Sequence, residues 1–161
     1  MSLPNPPNVP SAPTPAHPLQ GVAPEVAALL QGMQDSWNAA DLDAMFAGAS
    51  EDLHWVNVVG MHWQGRAAAK HAHVVFFEQM FRGVPLALEA VEHAAVLPGG
   101  VHLIVARWAL GAYRTPPGEQ RPASQNRMTL LAVPGPQGLQ LRHVSNVEVD
   151  PRAAPHDPAL R

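Results

Sequence analysis

The sequence predicts an α+β domain, with three N-terminal helices packed on the concave face of a cone-shaped, curved antiparallel sheet. Two observations carry this prediction. Residues 24–81 hold helix-period apolar patterns interrupted by one strand-like stretch, and residues 85–149 hold four long strand-like runs joined by turn residues. Helices followed by successive strands is the order of an α+β domain, not of alternating βα units, and strands joined by tight turns run antiparallel. A chain of 161 residues, 47% hydrophobic and only 14% charged, has the core for one such domain.

Residues 1–23 carry proline at 4, 6, 7, 10, 13, 15 and 18. Each removes a backbone donor and biases its predecessor toward extended structure, which predicts a disordered or polyproline-like tail. Pro24 suits a first helical turn, where its missing N–H costs nothing. From there Val26, Leu29, Leu30, Met33 and Trp37 recur at helical spacing, predicting an amphipathic helix that ends near Ala39-Ala40. Asp41 is a ready N-cap for a short second helix burying Leu42, Met45 and Phe46. Between Glu51 and Gly60 the period becomes two. Leu53, Trp55, Asn57 and Val59 then share one face, and His54, Val56 and Val58 the other. Both faces are largely apolar, predicting a strand covered on both sides.

Gly65 opens a third helix, Arg66 to about Phe81, whose core face carries Ala69, His73, Phe76, Phe77 and Met80. Gly83 sits where a C-terminal residue with positive φ belongs. Strands follow at about 85–97, 101–114, 121–133 and 139–149, with turns at Pro98-Gly99-Gly100 and 134–138 and a longer polar loop at 115–119. The folded domain is thus 24–150, and 151–161 is a polar C-terminal tail.

Composition excludes several function classes. The net charge is −3, the first basic residue is Arg66 and Lys70 is the only lysine, so no face is available to neutralise nucleic-acid phosphates. No run approaches the ~18 apolar residues of a membrane span. The N-terminus MSLPNPPNVP lacks the charged and apolar regions of a signal peptide, which predicts a cytoplasmic protein. With no cysteine, disulfides and thiolate chemistry are excluded. His71 and His73 point about 200° apart on a helix and cannot share an ion, and no Gly-rich phosphate loop is present. No metal or cofactor is therefore expected.

Certain residues resemble a known family. Asn38, Asp41 and Phe46 form an N-x-x-D-x-x-x-x-F segment, and Val56-Asn57-Val58-Val59-Gly60 precedes Trp63, Gly65, Arg66 and the helical His73. The closing run His143–Asp150 matches a last strand that usually reads HN-T/V, with Ser145 in place of the histidine. Over residues 22–150 this resembles the nuclear transport factor 2-like superfamily, which includes ketosteroid isomerases and SnoaL-like cyclases, and within it the SgcJ/EcaC-type family. The resemblance implies a helix-covered sheet and a homodimer formed through that sheet. Ketosteroid isomerases use an aspartate base on the first strand, a tyrosine on the first helix and a second acid on a late strand. An ungapped match at NAADLDAMF puts the base at Asn57 and the tyrosine at Met33, with the acid near Thr129. An amide accepts no proton at neutral pH and a thioether donates none, so that mechanism is lost.

The remaining candidates are an acid or base, His73, and a ligand-binding set of Asn57, Trp37, Met33, Trp55, Trp63, Phe77, Asn126 and Asn146. His73 is either an imidazole active in proton transfer or a structural one bridging a backbone carbonyl and Asn57. Trp37, Trp55 and Trp63 either line an aromatic pocket or pack as core. Arg107 either meets an anion or pairs with Glu89, Glu92 or Glu148, and Trp108 is expected on the outer sheet face at a dimer interface. The expected function is binding of a small apolar or aromatic, oxygenated molecule, with acid/base chemistry of an isomerase, cyclase or hydrolase type. The alternative is a non-catalytic binding protein or accessory homodimer.

Overall fold

Helix α1 (Pro24–Ala39) turns Val26, Leu30, Met33 and Trp37 inward. This is a computed structural model, and it describes residues 17–160; most of the expected proline-rich tail, residues 1–16, lies outside the described residues. The helix stops on Ala40, whose φ of 53° is left-handed, with Ala40 N–H donating to Trp37 and Asp41 N–H to Ser36. Asp41 then caps α2 (Leu42–Ala47), its Oδ1 accepting from Ala44 N–H at 2.9 Å. Asp41→Ala is expected to lower stability by about 1 kcal/mol in urea denaturation, with little change in the dependence on urea concentration.

The main sheet has six strands in the order β2-β1-β8-β7-β4-β3. They are β1 (Ala49–Val56), β2 (His62–Gln64), β3 (Leu86–Leu97), β4 (Val101–Leu110), β7 (Ser124–Gly135) and β8 (Gly138–Glu148). All pairs are antiparallel except β1 with β8. A separate small hairpin joins β5 (Tyr113–Arg114) to β6 (Gln120–Arg121). The expected strands 101–114 and 121–133 are therefore each divided. A side chain at Gly111 would meet Pro85 Cδ at 2.6 Å, so the chain leaves the sheet at a close crossing that only glycine fits. Pro122 has no N–H for a ladder.

Helix α3 (Arg66–Phe76) continues through a π-helical turn, Phe77–Phe81, to Gly83, whose φ is 80°. Several of the motif residues prove to be ties between elements. Asn38 exchanges two hydrogen bonds with the backbone of Leu86, at 2.8 and 2.9 Å, and Trp37 Nε1 donates to Val84 O, so α1 is clamped to the start of β3. Gly65 N–H donates to Leu53 O, and Arg66 pairs with Glu51, joining α3 to β1.

The core lies between the helices and the inner sheet face, where Leu53, Ile104, Trp108, Leu130 and Val144 are fully buried. Trp108 corrects an expectation: it points inward, level with Leu88 and Asn126 on the flanking strands. The outer face carries Arg107, which pairs with Glu89 at 3.1 Å and Glu92 at 2.9 Å, and not with Glu148. The expected double covering of β1 is also corrected, because His54 on its outer side is exposed, its ring against His62 with 3.0 Å between nitrogens. Residues 151–160 are exposed apart from Leu160, whose side chain is not described, and hold two short 3₁₀ turns. Among the described residues no helix is long and apolar enough to cross a membrane.

Candidate functional site

The third helix builds the site's central residue. Ala69, His73 and Phe77 recur every four residues, so all three face the core and all three are buried. His73 Nδ1 lies 2.8 Å from Ala69 O. A carbonyl only accepts, so Nδ1 carries the proton and Nε2 keeps its lone pair. Three aromatic rings surround the imidazole nearly at right angles: Trp55 at 4.6 Å, Phe46 at 5.1 Å and Trp63 at 5.4 Å between centroids. Burial pushes the His73 pKa down to about 4, against a smaller opposing effect of the Ala69 carbonyl. The ring is neutral at neutral pH.

Beside it lies a cavity of about 180 Å³ between the helices and the inner sheet face. Met33, Trp37, Trp55, Asn57, Trp63, His73, Asn126 and Asn146 all line it. Phe77 does not: it packs edge-on against Trp37, 4.7 Å between centroids, and belongs to the core. Asn57 reaches the lining from a turn, not from the strand expected of it. Its Oδ1 accepts from Val59 N–H at 3.1 Å and Met61 N–H at 2.8 Å, closing the β1–β2 connection. That use of the amide oxygen also corrects the expected link to His73, whose Nδ1 goes to Ala69 instead.

Sequence reasoning missed Tyr113, Ser124 and Glu148, which join Asn126 and Asn146 in the lining. Register places them: Asn126 stands opposite Glu148, and Met128 opposite Asn146, on the inner faces of β7 and β8. The Oδ1 atoms of Asn126 and Asn146 are buried and have no partner among the described residues. Val59, Met61 and Glu148 are exposed members of the lining, so the mouth lies between the β1–β2 turn and the end of β8. A larger but more open groove of about 460 Å³ runs along α1 and α2. Its polar groups are already engaged, Asp41 as a cap and Ser36 on Gly32 O at 2.6 Å, so it offers no convergent chemistry.

No protein-family model matches the chain, and no curated protein does. An uncharacterised protein with a cystatin-like fold from Caulobacter vibrioides is 37% identical, with a TM-score of 0.79 over 85% of this chain and 96% of that one. The fold is shared by a ketosteroid isomerase-like protein from Erwinia carotovora atroseptica (15% identity, TM-score 0.65, covering 78% and 95%). It is shared too by an NTF-2 like protein of unknown function from Shewanella oneidensis (19%, 0.62, covering 76% and 96%). The chain belongs to the same family as the Caulobacter protein, with a cystatin-like fold that NTF2-like proteins share. Within this NTF2-like frame, Met33 and Asn57 both border the cavity, but neither supplies an acid or base. Thr129 lies on the outer face, and its inward neighbours Met128 and Leu130 are apolar. The aspartate, tyrosine and late-strand acid of the isomerase mechanism thus have no counterparts at the matched positions.

Proposed function

We propose that this NTF2-like protein binds one small, largely apolar molecule with a polar group at one end, and that it does so without chemical turnover. The observation that carries this is a cavity walled by Trp37, Trp55 and Trp63 with a few polar side chains, among them Asn57, Asn126 and Asn146, set in its lining, the usual makeup of a small-molecule site. His73 Nε2 acts as a fixed acceptor. A base whose conjugate acid has a pKa of about 4 is poorly matched to proton abstraction near neutrality. One feature favours the second reading, acid/base chemistry of isomerase, cyclase or hydrolase type on an oxygenated substrate: with Nδ1 engaged, His73 keeps its other ring nitrogen, Nε2, unpaired on a ring of the cavity wall.

Thermal denaturation against a panel of single-ring and multi-ring apolar compounds tests the proposal. A ligand at about 100 times its Kd should stabilise the fold by about 2.7 kcal/mol, and mass spectrometry should recover it unchanged. Stabilisation accompanied by conversion would move the assignment to the second reading, and His73→Gln should then abolish turnover while sparing binding. No stabilisation by any compound would remove both.

Placement nearest the SgcJ/EcaC-type family, on the motif from Asn38 to His73, and a cytoplasmic location belong to the same proposal. So does a homodimer formed through the sheet: Leu103, Val105, Leu131 and Val133 make a half-exposed apolar strip on the outer face. Light scattering should give twice the 17.2 kDa chain mass; a monomer at micromolar concentration would contradict the dimer.

A further inference from the structure

The outer sheet face, on the side away from the cavity, carries a cluster of histidines. His54 on β1 and His62 on β2 lie diagonally across an antiparallel pair, since His62 stands opposite Val56 and His54 opposite Gln64. Their rings meet with 3.0 Å between His54 Nδ1 and His62 Nε2. On the other side of β1, His143 of β8 is the register partner of His54, so three imidazoles occupy three adjacent strands on one face. Burial, and then the charges of His54 and His62, hold the His143 pKa below its ordinary value. The neighbouring carboxylate is already engaged, because Asp52 accepts from Ser50 and pairs with Arg142 at 2.6 Å.

We propose that His54 and His62 form a chelate for a divalent transition-metal ion, completed by His143. Two imidazole nitrogens, each about 2.0–2.1 Å from one ion and at a right angle, stand about 2.9 Å apart. The pair already stands at 3.0 Å. One of these two nitrogens carries the shared proton, and moving it to the far nitrogen of the same ring frees both lone pairs. Among the described residues no three ligating groups already surround one point. His143 therefore joins by turning its partly exposed side chain, and water fills the remaining positions. Imidazole ligands suit zinc, nickel and copper ions, whereas magnesium and calcium take oxygen. Strand β2 has only three residues and lies at the sheet edge. An ion held by all three rings ties that edge, and with it the turn bearing Val59 and Met61 at the cavity mouth, to β8.

Isothermal titration of the full chain near neutral pH with zinc, nickel and magnesium chlorides tests this. Zinc and nickel should each bind at one ion per chain in the micromolar range, and magnesium should be silent. His54→Gln and His62→Gln should each weaken zinc binding at least tenfold, and His143→Gln at least threefold. His71→Gln, at an exposed position on α3, should change nothing. Hydrogen exchange needs no variant: zinc should slow the amides of residues 57–64 of the unsubstituted protein at least fivefold. Absence of saturable zinc binding, or zinc binding indifferent to both His54→Gln and His62→Gln, overturns the site. Parental affinity in His143→Gln, or unchanged exchange under saturating zinc, overturns the tie to β8 that the third histidine supplies.

Discussion

Replacing Trp108 by alanine is expected to destabilise the fold by about 3–5 kcal/mol. Trp108 is fully buried, and its register partners Leu88 and Asn126 also face the core, so no neighbour can swing in from solvent to fill the void. Domains of this size have only about 5–15 kcal/mol of stability, so the loss is a large fraction of the total. Trp108→Phe separates packing from polarity. The indole Nε1–H has no partner among the described residues, and an unmatched buried donor costs about 1–3 kcal/mol. Phenylalanine removes that donor while keeping one ring, and its stability should fall much nearer to the parent's than alanine's. Urea midpoints of the two variants decide the matter. A loss below about 1 kcal/mol for Trp108→Ala would return the side chain to the outer face.

That outer placement was the natural reading of the sequence, and its failure has a definite cause. In Val101–Leu110 both strand parities are apolar, with Val101, Leu103 and Val105 on one side and Ile104, Ala106 and Trp108 on the other. Alternation therefore carries no information about which side faces the core. Register with β7 supplies it. The helices were far more legible, because local chemistry marks their ends: Pro24 starts α1, Asp41 caps α2 and Gly83 closes the turn after α3. Asn57 misled for a different reason. Val58 and Val59 continue the apolar run past the end of β1, yet the backbone donors that Asn57 Oδ1 accepts turn the chain there. The available signal was an asparagine three residues before Gly60, whose φ is 83°. The aromatic wall and His73 could be read from helix and strand periods. Tyr113, Ser124 and Glu148 could not, because Gly111 and Pro122 divide the strands that would have placed them, and only the pairing of β7 with β8 brings Glu148 beside Asn126.

The same burial that weakens His73 as a base makes the fold acid-sensitive. In the unfolded chain its imidazole titrates near 6.5, while in the folded protein burial holds the pKa at about 4. Between those values the unfolded state binds the proton and the folded state does not, so stability decreases as pH falls from about 6.5 to about 4. At about 1.4 kcal/mol per pH unit the loss from this one group approaches about 3 kcal/mol by pH 4. The paired carboxylates act in a different window. Glu92 is held below its ordinary pKa chiefly by its hydrogen bond from Arg127, so its contribution is lost only as pH falls through the carboxylate range. Urea midpoints at pH 7, 6, 5 and 4.5 should therefore fall before the carboxylates titrate. His73→Leu should flatten that segment of the curve, since leucine keeps the apolar contacts with Phe46 and Trp55 and has no proton to gain. Equal slopes in both proteins would place the acid sensitivity elsewhere and remove the burial argument for a neutral His73. A flattened slope would show that the ring on the cavity wall is uncharged at neutral pH, and so offers the cavity an acceptor and no positive charge.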